Sequence, residues 1–211
     1  MLNPATDLFL IIDVQNDFCP GGALGVDGGH DIVPLINNLT RRFDNVALTQ
    51  DWHPAGHSSF ASSHEGKSPF EMVELSYGMQ NLWPDHCVQG SFGAQFHKDL
   101  ETDKAQMIIR KGFRGDIDSY SAFFENDQKT RTGLMGFVQE RGFKRVFMAG
   151  LATDYCVGFS ALDGKGLGLD VYVVEDACRG INMGGSLEAM YQQFNEHGVR
   201  RVQSVDLTVS G

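Results

Sequence analysis

The sequence predicts a three-layer α/β/α fold, a single domain over residues 1–211 around a mainly parallel, doubly wound sheet of six strands. Three observations carry this. Short apolar runs alternate with helix-like stretches along most of the chain. The runs are nearly continuous in apolar residues, which suits strands buried on both faces instead of one. A chain of 211 residues with 42% hydrophobic and 21% charged content is long enough for one sizeable core.

Taken in order, the strands are LFLIIDV (8–14), NVALTQD (45–51), QMIIRK (106–111), RVFMAG (145–150) and DVYVVED (170–176), with a weaker RVQSV (201–205). Between the first two, Ile32, Leu35, Ile36, Leu39 and Phe43 share one helical face, with Asp31 as the cap and Pro34 in the first turn. Leu134, Phe137 and Val138 mark a second helix, stopped by Gly142, and Leu187, Met190, Tyr191 and Phe194 mark another, stopped by Gly198. The glycine-rich DGKGLG (163–168) is expected to shorten the helix after Cys156. Only the stretch 54–104, rich in Ser, Gly, His and Pro, lacks a sustained period. A long irregular segment in such a domain is expected to serve a site.

The charge of −10 and pI near 5.0 argue against nucleic acid or an anionic membrane as partner. LFLII runs straight into Asp13 with no basic leader, and no apolar stretch is long enough for a bilayer. Cys19, Cys87, Cys156 and Cys178 show no Cys-x-x-Cys spacing, so they read as reduced thiols of a cytoplasmic protein.

Polar residues gather where strands end. The first strand ends in Asp13, the second in Asp51-Trp52-His53, the third in Lys111, and the fourth leads into GLATDYC (150–156). Open parallel sheets bind ligands outside the carboxyl ends of their strands. A free cysteine is ordinarily a small buried hydrophobe. At a strand-to-helix turn, however, unpaired backbone N–H groups and the helix dipole favour a thiolate, and the same groups would stabilise an oxyanion. Asp13 is placed to take the thiol proton and return it to a leaving amine, and Lys111 to hold that carboxylate and favour negative charge on sulfur. Burial raises the pKa of Asp13 and the ammonium lowers it, a balance the sequence leaves open. Asp51 and His53, two apart on an extended segment, converge on one side. With His86 from WPDHC they form a two-histidine, one-carboxylate set that suits zinc, iron or manganese. His57 and His64 read as exposed loop histidines, with ligation as the alternative; His30, His97 and His197 read as surface residues.

DVQNDFCPGGAL (13–24), QDWHPAGHSSFA (50–61), WPDHCVQG (83–90), KGF (111–113), DSYSAFF (118–124) and GLATDYCV (150–157) together resemble the nicotinamidases of the isochorismatase-like cysteine hydrolases. The resemblance covers nearly the whole chain. It implies a catalytic triad of Asp13, Lys111 and Cys156, and metal ligands Asp51, His53 and His86, with His57 or Ser59 open as a fourth. It further implies a pyridine pocket of Phe18, Trp83 and Tyr120, a non-proline cis peptide just before Ala152, and an oxyanion hole from the N–H groups of Ala152 and Cys156. The activity it implies is hydrolysis of nicotinamide, or a related pyridine or pyrazine carboxamide, through a cysteine thioester in NAD salvage. One divalent metal ion, zinc or iron ahead of manganese, goes with it; a homo-oligomer is left open. Three alternatives remain: an N-carbamoyl amidase, which would not require the metal set; an iron oxygenase, which would leave Cys156 and Lys111 without a role; and a non-catalytic binding protein of the same fold.

Overall fold

A computed structural model describes residues 1–208; the last three residues of the expected 1–211 domain lie outside the described residues. Six parallel strands form the main sheet: β1 (Asp7–Ile12), β2 (Val46–Asp51), β5 (Met107–Lys111), β6 (Arg145–Leu151), β7 (Asp170–Arg179) and β8 (Arg200–Val202). The last strand is shorter than the sequence pattern implies: after Val202 the chain tightens into a 3-10 turn over Ser204–Asp206, where the capping pair Gln203 and Asp206 ends it. The spatial order is β5-β2-β1-β6-β7-β8. Every residue of β1 and β2 is buried, which is why those segments read as unbroken apolar runs, whereas the edge strand β5 alternates.

The chain runs outward from β1 on one side and from β6 on the other, so these two neighbours mark the switch point of the sheet. Helices cover both faces. Helix α1 (Val33–Arg42) leads into Phe43, whose ring stacks on Phe9 and leans on Phe147; Phe147 in turn stacks on Tyr172. Helix α3 (Gly158–Gly166) lies on the opposite face, where Gly164 approaches Val171 and Met148. Helices α2 (Leu134–Arg141) and α4 (Ser186–His197) end at Gly142 and Gly198 as expected, both with positive φ.

One local expectation changes. Asp31 does not cap α1. It lies inside a 3-10 turn (Gly29–Ile32) that feeds directly into the helix at Val33, so the first N–H groups need no side-chain cap. The glycines of DGKGLG act only at the end of α3, which runs through Gly164 and stops inside the stretch, at Gly166. Close packing explains Gly164: a Cβ there would sit 3.1 Å from Val171 and 3.2 Å from Phe123.

The irregular stretch between β2 and β5 contains a 3-10 turn (Ala61–Ser63) and the antiparallel hairpin β3 (Met72–Leu75) and β4 (Gly78–Asn81), separate from the main sheet. No helix among the described residues is long and apolar enough to cross a membrane. The four cysteines are free and buried.

Candidate active site

Asp13 follows β1 directly, Lys111 ends β5, and Cys156 lies in a π-helical turn, Thr153–Val157, between β6 and α3. All three converge at the switch point. Lys111 Nζ is the centre: it stands 2.8 Å from Asp13 Oδ2, 2.9 Å from Asp51 Oδ1, 2.9 Å from the Ser119 carbonyl and 3.4 Å from Cys156 Sγ. Its side chain is fully buried. Thr49 on β2 fixes the carboxyl of Asp13, donating its hydroxyl to Oδ1 (2.7 Å) while its oxygen accepts the Asp13 N–H (3.2 Å).

Burial raises the pKa of Asp13, and the opposing pull of Lys111 does not cancel it, so the carboxylate is a better base than an exposed one. Burial lowers the pKa of Lys111, but Asp13 and Asp51 more than offset it and hold it well above the ordinary value. For Cys156, burial outweighs the ammonium and pushes the thiol well up. The resting sulfur therefore keeps its proton, against the thiolate expected from the turn and Lys111 alone. The strong base sits beside it in Asp13.

Asp51, His53 and His86 bring ligand atoms within 4.8 Å of one another, all buried. The Nε2 atoms of His53 and His86 face Asp51 Oδ2 at 3.0 and 3.5 Å. With Nδ1 protonated, His53 donates to the Gly112 carbonyl (2.9 Å) and His86 to the Pro84 carbonyl (2.8 Å), which fixes both rings with Nε2 presented inward. Gly112, at φ 65°, is required here: a Cβ would lie 2.4 Å from the His53 ring. His53 and Lys111 hold Asp51 well below the usual carboxylate range despite burial, so it stands ready as an anionic ligand. Two imidazoles and one carboxylate fit a divalent cation that retains open positions.

Asp51, His86, Ala152 and Cys156 share one small cavity with the three expected aromatic residues, Phe18, Trp83 and Tyr120. The Leu151–Ala152 peptide is cis. Leu24, Asp118, Tyr155 and Ile181 complete the wall and were not anticipated. The Tyr155 and Trp83 rings meet edge to face at 4.9 Å.

The isochorismatase domain model matches residues 7–204. The nicotinamidase of Acinetobacter baylyi is 50% identical over 200 residues, 95% of this chain and 94% of that protein. Among solved structures, a nicotinamidase–pyrazinamidase from Acinetobacter baumanii superposes with a TM-score of 0.96 at 52% identity, covering 98% of this chain and all of that one. A pyrazinamidase from Pyrococcus horikoshii, solved in complex with zinc, has a TM-score of 0.76 at 34% identity, covering 93% and 98%. The chain belongs to the isochorismatase family, among its nicotinamidases.

In this nicotinamidase-family chain, His57 departs from its expected place. It is fully buried, its ring 4.4 Å from that of His53, with Nδ1 on Ser59 Oγ (2.7 Å) and Nε2 on the Ile117 carbonyl (3.2 Å). Burial of an apolar-flanked turn, with Phe60 packed on both histidines, overrides the polarity of the local sequence. His64 is half-buried and its Nε2 meets the Ser58 carbonyl (2.7 Å). A second group of ligand atoms, from His53, His57 and Asp118, also falls within 4.8 Å. It shares His53 with the first set, and both His57 nitrogens already have partners, so the first set is the better metal centre.

Asp118 and Tyr155 were within reach of sequence reading, since both lie inside quoted motifs, DSYSAFF and GLATDYCV. Leu24 closes the quoted motif DVQNDFCPGGAL and was equally within reach, whereas Ile181 lies outside every quoted motif and carried no signal.

Proposed function

We propose that this chain, acting as one domain, hydrolyses nicotinamide to nicotinate and ammonia in the cytoplasm, in NAD salvage. The observation that carries the reading is the fourfold contact of Lys111 Nζ with Asp13, Asp51, Ser119 and Cys156, beside a cavity lined by Cys156 and by Asp51 and His86, two of the three side chains that could hold a metal ion.

Asp13 accepts the Cys156 proton as the sulfur attacks the amide carbon. Lys111 stays charged and steadies Asp13 as it gains and loses that proton. The N–H groups of Ala152 and Cys156 face the negative charge that develops on the amide oxygen. When the tetrahedral adduct collapses, the C–N bond breaks and Asp13 passes its proton to the departing ammonia. Water then adds to the thioester carbon, giving one proton to Asp13 and onward to sulfur as the C–S bond breaks, which regenerates the thiol and releases the acid.

Asp51, His53 and His86 would hold one divalent ion, zinc or iron ahead of manganese, which when bound supplies a Lewis-acid position for orienting the heteroaromatic ring. Phe18, Trp83 and Tyr120 form the apolar walls against that ring. The metal set is what separates this reading from a metal-independent N-carbamoyl amidase. Ammonia release from nicotinamide, measured before and after chelation and after metal return, tests it. Turnover should fall on chelation and recover. A protein that releases no ammonia from nicotinamide, or is indifferent to chelator, contradicts it.

A further inference from the structure

The β3–β4 hairpin is the one part of the site region with little core of its own. Met72 and Met79 are 52% and 61% exposed, and an isolated two-stranded hairpin is marginal in water. Yet it carries Gln80, 1% exposed and pointed inward among polar groups. Gln80 Nε2 lies 2.8 Å from Asp118 Oδ2, 2.8 Å from the Tyr120 hydroxyl and 2.7 Å from the Asn81 carbonyl. Its Oε1 accepts from the Tyr77 hydroxyl and from Asn126 Nδ2, each at 3.1 Å. Asn126 closes a ring of bonds, because its Oδ1 accepts the Tyr120 N–H at 3.0 Å.

Two of these partners, Asp118 and Tyr120, line the ligand cavity. The Tyr120 ring rests against those of Trp83, Tyr155 and Phe159 (centroids at 6.1, 5.6 and 5.3 Å), but this packing is not closed on every side. Behind it lies an open cleft of about 390 Å³ bounded by Tyr77, Met79, Asn126 and Phe159, and Tyr120 borders that cleft as well as the cavity. Its hydroxyl is instead held by two N–H donors, Gln80 Nε2 and Trp83 Nε1 (3.1 Å). Removing the amide from Gln80 frees the ring to lean into the cleft and leaves Asp118 with one donor fewer.

We propose that Gln80 is a positioning residue which, from the hairpin, fixes Tyr120 and Asp118 in the cavity wall and so sets affinity for the pyridine ring. It acts through Tyr120 and Asp118 and touches none of Asp13, Lys111 and Cys156, so its loss weakens binding and spares the chemical step. The proposal rests on nicotinamide hydrolysis as the activity.

The test is a double-mutant cycle of Gln80→Leu and Tyr120→Phe, read as kcat and KM for nicotinamide on metal-loaded protein. Gln80→Leu should raise KM about tenfold with kcat within about twofold. The double variant should raise KM by less than the product of the two single effects, since both remove the restraint on Tyr120 and only the Gln80 bond to Asp118 is left to lose. An unchanged KM in Gln80→Leu, or effects that multiply, overturns the proposal. Should Gln80→Leu fail to fold, a wild-type KM in Tyr120→Phe overturns it independently. A wild-type protein that releases no ammonia removes the activity alone. Gln80 is then judged by the indole N–H spectrum: Gln80→Leu should shift the Trp83 signal and leave that of Trp52 in place, and an unmoved Trp83 signal refutes the role.

Discussion

The two walls of the site are built by different means. The reactive wall, Asp13, Lys111 and Cys156, stands at or just beyond the ends of β1, β5 and β6, where the hydrogen-bonded sheet already fixes the backbone. The binding wall, Trp83, His86 and Tyr120, comes from chain outside the named strands, held by no ladder beyond the isolated bridge of Trp83 to Phe60. Buried or half-buried polar side chains take over that work. Gln15 ties the loop to the end of β2: it donates to the Asp51 carbonyl (2.8 Å) and accepts the Asp51 N–H (2.8 Å), and it donates as well to the Ala94 carbonyl (2.9 Å). Asp17 accepts the N–H of Cys87 (2.7 Å), next to His86, and that of Ala23 (3.1 Å), next to Leu24. A sheet supplies precision as a by-product of folding, whereas a loop needs an anchor for each residue it delivers.

If that contrast is real, damage to the two walls differs in kind. The largest effect is expected at Lys111→Met. It leaves the fully buried Asp13 and Asp51 facing each other without a cation, so urea unfolding should show a loss of about 3–5 kcal/mol and ammonia release should collapse. Asp13→Asn, which removes the base and spares the fold more, should lower kcat by about a thousandfold with metal content unchanged. A retained kcat in either would put the reactive wall elsewhere.

On the binding wall, Asp17→Ala frees the Cys87 amide beside His86. Metal affinity, measured by competition with a chelator, should weaken about tenfold, and the fully loaded variant should keep its kcat. A kcat loss at saturating metal would erase the distinction between the walls.

How legible each wall is in sequence follows from the same physics. Asp13, Lys111 and Cys156 show themselves because strand periodicity locates strand ends, and strand ends are where an open sheet binds. Asp51 and His53 share that signal. His86, Phe18, Trp83 and Tyr120 have no period to place them: His86 is read from WPDHC as the ligand that completes the set with Asp51 and His53, and the three aromatic residues come from the family resemblance alone. Gln15, Asp17 and Gln80 escaped altogether, as their partners lie up to 79 residues away and nothing local distinguishes an anchoring amide from a solvated one. His57 was misplaced for a related reason: burial in a loop is set by what packs over it, here Phe60 and His53.

A smaller effect sharpens the picture of the resting nucleophile. Because burial pushes the Cys156 thiol above the ordinary 9.0, less thiolate exists at neutral pH, and alkylation of Cys156 should keep climbing as pH rises through 9.0. Peptide mass spectrometry of iodoacetamide-treated protein checks this, and a plateau near neutrality would mean a preformed thiolate. The smallest effect lies outside both walls. Gly136, inside α2 with open space where a Cβ would go, should accept alanine with a gain of about 0.4–1 kcal/mol and unaltered kinetics.

The most direct test of a cysteine nucleophile at the sheet's switch point is ammonia release from nicotinamide by Cys156→Ala at metal content equal to wild type. The structure predicts steady release by the wild-type protein and none above background by the variant, with the metal still bound. Comparable turnover by the two proteins would contradict it.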